Sequence, residues 1–241
     1  MATLMVHTGV DKLLALADAN LLLTDDVLTF DDGCLQVHKH LTRLRQLSQR
    51  KIVFVVPAYT DLPGPCKCTP GVYYQDDRVF NNAKPFMDRH MLRELLANGI
   101  ELGMHSFAHM PVLTHGTTPQ RRHWRLATMF GNNSKRLTMA AKMFGTTSAL
   151  AEPGFVFTND GQPCKRTVVE FAKFVYDDTR QCAAWFANVF DYVPTTYAAP
   201  FNRWSPELTA AVTAVGVTER FGSERLDVDD NYEEIVNARR N

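Results

Sequence analysis

The stretch VLTFDDG, residues 27–33, places a short apolar run directly before two carboxylates and a glycine. Such a run is typical of a buried strand that ends at a polar turn. A second run, KIVFVVP at residues 51–57, is rich in β-branched residues and bounded by proline, so it also predicts a strand. Between the two, residues 37–49 carry apolar side chains at helical spacing. The order strand, helix, strand is the beginning of an α/β fold.

The alternation continues outward from these runs. Phe86–Ala97 predicts a helix that stops at Asn98 and Gly99, and Ile100–Met104 predicts the next strand. Strands that alternate with helices favour a parallel sheet, in which the carboxyl ends of the strands carry the active site. Later segments predict a helix at 167–190, a strand at 195–198, a loop at 199–204, a helix from Ser205 or Pro206 to about 215 and a final strand near 217–221.

The pattern loosens between about residues 114 and 163. This region predicts a basic helix at Gln120–Phe130, a second helix at Ser134–Phe144 and then a loop rich in proline and glycine. We interpret it as a helical insertion that packs on the rest of the fold. Residues 1–241 are therefore expected to form a single domain, a size that one hydrophobic core can support.

Composition excludes several classes of function. Basic and acidic residues number 26 each, so the whole-chain charge does not favour nucleic acid as a partner. The first 26 residues have no basic leader, and charged residues interrupt their apolar run, so neither a signal peptide nor a transmembrane segment is predicted and we expect a cytoplasmic protein. Cys66 and Cys68 could form half of a zinc site, but no second pair follows at finger-like spacing, so a reduced loop is favoured.

Two segments carry residues suited to metal chemistry. In HSFAH, residues 105–109, three residues lie between the two histidines, so on a helical turn both imidazoles would reach one metal. A carboxylate from Asp31-Asp32 would complete a set of two histidines and one carboxylate, which leaves positions open for water and substrate. Alone, either segment could be an ordinary turn or a chance pair. Their shared position after predicted strands of one sheet favours a metal site.

TFDDG at 29–33 followed by HSFAH at 105–109 resembles the first two motifs of the NodB-homology polysaccharide deacetylases, carbohydrate esterase family 4. A third segment, YAAPFNRWSPEL at 197–208, resembles that family's RPPYG…SPEL region. The resemblance covers most of the chain apart from the insertion and both termini. It implies a distorted (β/α) barrel of about seven parallel strands.

The resemblance also implies a reaction, metal-assisted hydrolysis of an acetyl amide on an N-acetylated carbohydrate. Zinc is the usual metal. Trp204 lies in the third segment, where an aromatic face could stack on a sugar ring. The implied roles are Asp31 as general base, Asp32, His105 and His109 as metal ligands, and Pro200 and Phe201 as residues that line the substrate groove.

The sequence departs from the family pattern in two places. The arginine that orients the catalytic aspartate aligns with Ala198, and Arg203 lies five residues further on. The late Leu-x-His motif that supplies the general acid has no counterpart, because the last histidine is His123. A metal-bound water, or His115 or His123 from the insertion, could serve instead. The fourth-motif aspartate is echoed faintly by Asp227, Asp229 and Asp230.

These observations lead to one function and two alternatives. The leading hypothesis is a metal-dependent N-deacetylase that removes acetyl groups from an N-acetylated sugar or glycan intermediate. The two departures also allow a weak or inactive carbohydrate-binding homologue. A hydrolase of another small amide is the third possibility. Neither the sugar nor the oligomeric state follows from the sequence.

Overall fold

A computed structural model describes residues 2–60, 86–113, 146–157 and 163–240. Seven strands form one sheet in the order β10-β9-β4-β3-β2-β1-β11, and every pairing in it is parallel. Four more form a small antiparallel sheet in the order β6-β5-β7-β8. The strands are β1 (Thr3–Val6), β2 (Val27–Phe30), β3 (Arg50–Val55), β4 (Glu101–Met104), β5 (Pro111–Leu113), β6 (Thr146–Ser148), β7 (Phe155–Phe157), β8 (Pro163–Lys165), β9 (Thr196–Ala198), β10 (Glu219–Phe221) and β11 (Leu226–Asp227).

Helices follow most strands of the large sheet. Short 3₁₀ turns lie at Pro57–Tyr59 and Pro200–Asn202. Among the described residues, none of the helices combines the length and the apolar character needed to cross a bilayer. The helices are α1 (Val10–Asp18), α2 (Leu35–Lys39), α3 (Leu41–Leu44), α4 (Arg89–Ala97), α5 (Val168–Phe190), α6 (Pro206–Ala214) and α7 (Val228–Arg240).

The predicted distorted barrel is confirmed. In β3, every residue after Arg50 is buried, as expected for a parallel strand covered on both faces. The two edge strands, β10 and β11, do not pair with each other, so the sheet curls without closing. Parallel pairing brings the carboxyl ends of the strands to one edge, and the residues that follow β1, β2, β4, β9 and β10 meet there.

Both ends of the chain add elements that the sequence pattern did not predict. Strand β1 pairs with β2 on one side and with β11 on the other, so the first and last strands are neighbours. Helix α7 packs against α1 and β1. These strands have four and two residues, too few to show a recognisable period. Their tertiary pairing stabilises them.

Two predicted helical regions differ from the structure. The helix expected at 37–49 is instead two short helices, α2 and α3, which meet at His40 with φ −102° and ψ 11° and end at Leu44. The described part of the insertion forms antiparallel strands, because its extended segments pair with one another instead of remaining a loop. The two helices expected there, His115, His123 and the Cys66–Cys68 segment lie outside the described residues.

Candidate metal centre and active site

The chain turns sharply at the end of β2. The backbone N–H of Asp31 still donates to the carbonyl of Val6, at 3.0 Å, as the last step of the β1–β2 ladder. Asp32 and Gly33 then adopt left-handed conformations, with φ 66° and 68°. Consecutive side chains in a strand would point to opposite faces, but this turn leaves both carboxylates buried at one edge of the sheet.

The two histidines reach the same place from the end of β4. His105 Nε2 lies 3.6 Å from Asp32 Oδ1, and His109 Nε2 lies 3.7 Å from the same oxygen. The segment between them is a bend rather than the helical turn expected from the spacing, since Ser106 and His109 have φ 64° and 49°. The prediction of one helical face was therefore wrong, although the imidazole centroids are only 4.9 Å apart.

Asp32, His105 and His109 fit a divalent cation. One ligand atom from each lies within 4.8 Å of the other two. The His105 Nδ1 lies 2.8 Å from the carbonyl oxygen of Ala198; an N–H there donates to that carbonyl and leaves the Nε2 lone pair toward Asp32. Burial lowers the pKa of both histidines to about 4, against the opposing carboxylates, so both are neutral ligands at pH 7. Two imidazoles and one carboxylate are donors that zinc accepts readily.

Asp31 is held by an arginine that the motif comparison did not find. Arg225, in the turn between β10 and β11, donates from Nη1 to Oδ1 of Asp31 at 2.6 Å and from Nη2 to Oδ2 at 2.8 Å. The same guanidinium donates to the Asn202 side chain at 2.7 Å and to the Gly222 carbonyl at 3.3 Å. Arg225 thus holds the Asp31 carboxylate through two hydrogen bonds, and its contact with Asn202 ties it to the third segment.

This pairing decides the charge of Asp31. Burial raises the pKa of the carboxyl, but the charge of Arg225, with a smaller contribution from His105, outweighs burial and holds the pKa well below its usual range. The carboxylate is therefore anionic at every pH at which the protein is expected to work.

His7 follows the end of β1 and lies near Asp31 and Asp32. Burial lowers its pKa, but Asp31, Asp32, Asp227 and Asp229 together raise the pKa above 6.5. The side chain is 38% exposed, and Nδ1 lies 3.8 Å from Asp229 and 3.9 Å from Asp227. An imidazole with a raised pKa near Asp31 and Asp32 is a candidate proton donor. Its neighbours Asp227 and Asp229 belong to the aspartates that resemble the fourth motif only faintly.

In the third segment, Phe201 lies beside His109, whereas Trp204 packs against residues outside this group. The Phe201 ring lies 4.9 Å from that of His109, and Phe201 has a left-handed backbone with φ 58°. Pro200 is buried and is the first residue of the 3₁₀ turn that also contains Phe201. The Trp204 ring packs near Tyr197, at 5.6 Å, and under the Arg220 guanidinium, at 5.9 Å. The substrate-binding role of all three third-segment residues remains a prediction.

Sequence reasoning missed Arg225 and His7 for different reasons. Arg225 is 194 residues from Asp31, and no motif surrounds it. His7 directly follows an apolar triplet, Leu4–Val6, so it has the same strand-end position as Asp31 and His105. That signal is weak in the sequence, because the strand that carries it has only four residues.

Comparison with known proteins addresses the fold. No protein-family profile and no curated protein matches the sequence. Several solved structures do resemble it, including the three that follow. A de-N-acetylase from Aggregatibacter actinomycetemcomitans has a TM-score of 0.58 at 13% identity, covering 92% of this chain and 76% of that one. The chain has the fold of deacetylases.

The other two structures agree. The deacetylase domain of BpsB from Bordetella bronchiseptica has a TM-score of 0.63 at 15% identity and covers 94% of both chains. IcaB from Ammonifex degensii has a TM-score of 0.56 at 10% identity, covering 100% of this chain and 97% of that one. At identities this low, the structural likeness establishes the fold alone. The chemistry has to be argued from the residues of this chain.

Proposed function

We propose that the chain is a metal-dependent N-deacetylase that removes acetyl groups from an N-acetylated sugar or glycan. The observation that carries the proposal is the group Asp32, His105 and His109, the first two buried and the third partly buried, with their ligand atoms close together beside a second, anionic carboxylate. The resemblance to the NodB-homology motifs and the fold shared with deacetylases support the same class of reaction.

Zinc suits the proposed ligands, because two imidazole nitrogens and one carboxylate leave coordination positions open for water and substrate. A cation held there would polarise the acetyl carbonyl and make an adjacent water easier to deprotonate. The hydrogen bond from His105 to the Ala198 carbonyl fixes the ring that must present Nε2.

Asp31 and His7 would divide the proton transfers. Asp31 accepts a proton from the water that attacks the carbonyl carbon, and Arg225 keeps this carboxylate in place through two hydrogen bonds. His7, whose pKa is raised by its carboxylate neighbours, donates a proton to the amide nitrogen as the carbon–nitrogen bond breaks. The products are acetate and a free amine. The Phe201 ring beside His109 would border the groove that the sugar enters.

Acetate release from a panel of N-acetylated sugars and glycans tests the proposal. We expect release to stop with a chelator and to return with added zinc. Asp31→Asn should retain zinc yet lose at least about 10²-fold in rate, because the water then lacks its base. His105→Ala should lose both zinc and activity, and His38→Ala, at a histidine paired with Glu94 away from this group, should lose neither.

Other results would point elsewhere. Release that continues unchanged in the presence of chelator and in His105→Ala would refute the metal-dependent reaction. Zinc binding without acetate release from any glycan would indicate a carbohydrate-binding homologue. Cleavage confined to small amides without a sugar would indicate the third hypothesis.

A further inference from the structure

A buried carboxylate lies behind the loop that joins the two histidine ligands. Asp178 is midway along α5, on the buried face of this helix, and is only 8% exposed. Its Oδ1 accepts the backbone N–H of Phe107 at 3.0 Å, and its carboxylate also receives the N–H of Ala108. Both amides belong to the segment between His105 and His109.

That segment needs outside support. Ser106 and His109 have left-handed backbones, which residues with side chains adopt only where the surroundings hold them. The Ser106 hydroxyl oxygen accepts the N–H of His109 at 2.7 Å, and the Phe107 carbonyl accepts the N–H of Ala58 at 2.9 Å. Together with Asp178, these contacts fix successive peptide groups of the loop.

The two histidines are positioned differently. His105 is fixed at both ends, because its backbone N–H donates to the Val55 carbonyl at 3.2 Å and its Nδ1 lies against the Ala198 carbonyl. His109 lies at the far end of the loop. Its distance to Asp32 therefore depends on the peptides of residues 107 and 108, which Asp178 holds.

Stability alone does not explain a carboxylate at this position. Burial raises the pKa of Asp178 to about 6, and the hydrogen bonds from Phe107 and Ala108 oppose this only in part. The charged form is therefore less favourable in the folded chain than in the unfolded chain. A buried charge that the folded chain disfavours is the pattern expected where stability is traded for function.

We propose that Asp178 is a positioning residue, which fixes His109 by accepting the amides of Phe107 and Ala108 and thereby raises the metal affinity of the centre. The inference rests on the proposed function in assuming that a cation binds Asp32, His105 and His109. An asparagine would replace Asp178 poorly, because it has one acceptor oxygen instead of two, carries no charge, and adds an NH₂ donor where two amides already donate.

Zinc affinity of the full chain tests this role, measured by competition with a chromophoric chelator, alongside unfolding of the metal-free protein. Asp178→Asn should bind zinc about 10–100-fold more weakly, the usual effect of losing a group that orients a metal ligand. The matched control is Asp177→Asn, because Asp177 is exposed and pairs with Lys173 on the solvent side of α5. The control should bind zinc as the wild type does, and any loss of stability in the metal-free Asp178→Asn protein should be too small to account for its weaker zinc binding.

Unchanged zinc affinity in Asp178→Asn would overturn the proposal. So would a loss of affinity fully accounted for by a matching loss of metal-free stability, since that indicates a merely structural residue. If Asp178→Asn does not fold, Asp178→Ser, whose hydroxyl is too short to hold both amides, is judged by the same criterion. A wild-type chain that binds no zinc would instead refute the proposed metal centre itself.

Discussion

Two ionisable residues with opposite pKa shifts meet at the carboxyl edge of the sheet. Burial alone would raise the pKa of Asp31, but the charge of Arg225 outweighs burial and lowers this pKa. Burial alone would lower the pKa of His7, but four carboxylates outweigh burial and raise this pKa. Asp31 is therefore an anion near neutral pH while His7 keeps a proton to a higher pH than a free histidine. Separation of two pKa values by their surroundings is what assigns a base and an acid within one site.

Replacing His7 with glutamine should remove the proton donor. We expect kcat/KM to fall by about 10²–10⁴-fold, the contribution typical of a general acid. In the wild type, activity should fall as the pH rises through the raised pKa of His7, because the acid must be protonated, and this alkaline limb should be absent from the variant. A pH profile of kcat/KM checks both points, with His38→Gln as control. A His7→Gln enzyme with the parent's rate and profile would exclude this role.

Replacing Arg225 with methionine should change both stability and the acidic limb. Without the guanidinium the pKa of Asp31 rises, so activity should be lost at a higher pH on the acid side. Leaving the buried carboxylate unpaired should cost about 3–5 kcal/mol of unfolding free energy. Urea unfolding and a pH profile measure the two effects. Arg203→Met is the control, since Arg203 is exposed and its loss should change neither the stability nor the acidic limb. Equal changes in the two variants would contradict the pairing of Arg225 with Asp31.

At the scale of elements, two helix starts show how local sequence is translated into structure. Ser205 caps α6 as its sequence predicts, with its oxygen accepting the N–H of Leu208 at 3.0 Å. Its hydroxyl also donates to the carbonyl of Leu150 at 2.7 Å, and the residue is buried. Thr167 caps α5 in a capping box with Glu170, but on an exposed surface.

Substitution of these caps by alanine should therefore have unequal effects. Thr167→Ala should lower the unfolding free energy by about 1 kcal/mol, the usual value of a cap. Ser205→Ala should cost more, about 2–3 kcal/mol, because it also leaves the buried Leu150 carbonyl without its donor. Denaturant unfolding of both variants measures the difference. Equal losses would mean that the Leu150 contact contributes nothing.

Elements with a strong local signal could be predicted, and the others could not. The strands ending at Phe30, Val55 and Met104 lie in apolar runs of the sequence, so these strands and their parallel sheet could be predicted. The proposed ligands Asp32, His105 and His109 could be named because each directly follows or closely succeeds such a run. The bend between the histidines could not, since its left-handed residues depend on contacts with α5 and Ala58 rather than on glycine.

At the scale of the whole molecule, the active-site edge joins the two ends of the chain. Strands β1 and β11 lie side by side, which brings His7 to Asp227 and Asp229 across more than 200 residues of sequence. Arg225 precedes β11 and reaches Asp31 by the same route. Contacts of such long range leave no periodic trace, which is why no sequence motif indicated the proposed proton donor or the arginine that pairs with Asp31. A departure from a family motif can thus be compensated by a residue that only tertiary pairing identifies.

The link between the chain ends can be tested at Asp229, whose Oδ2 accepts the backbone N–H of His7 at 2.7 Å and of Thr8 at 3.1 Å. Asp229→Asn keeps an oxygen there but removes one of the charges that raise the pKa of His7, so this pKa should fall toward its ordinary value. A raised pKa stabilises the folded chain below 6.5 and loses this effect as the pH rises through the folded value. The variant should therefore lose less stability than the parent between pH 6 and 8, and its alkaline activity limb should move to lower pH. Asp230→Asn, at the exposed neighbouring residue, should change neither the pH dependence of stability nor the alkaline activity limb. If both variants behave alike, the charge of Asp229 does not raise the pKa of His7, and the two chain ends are not linked through this pair.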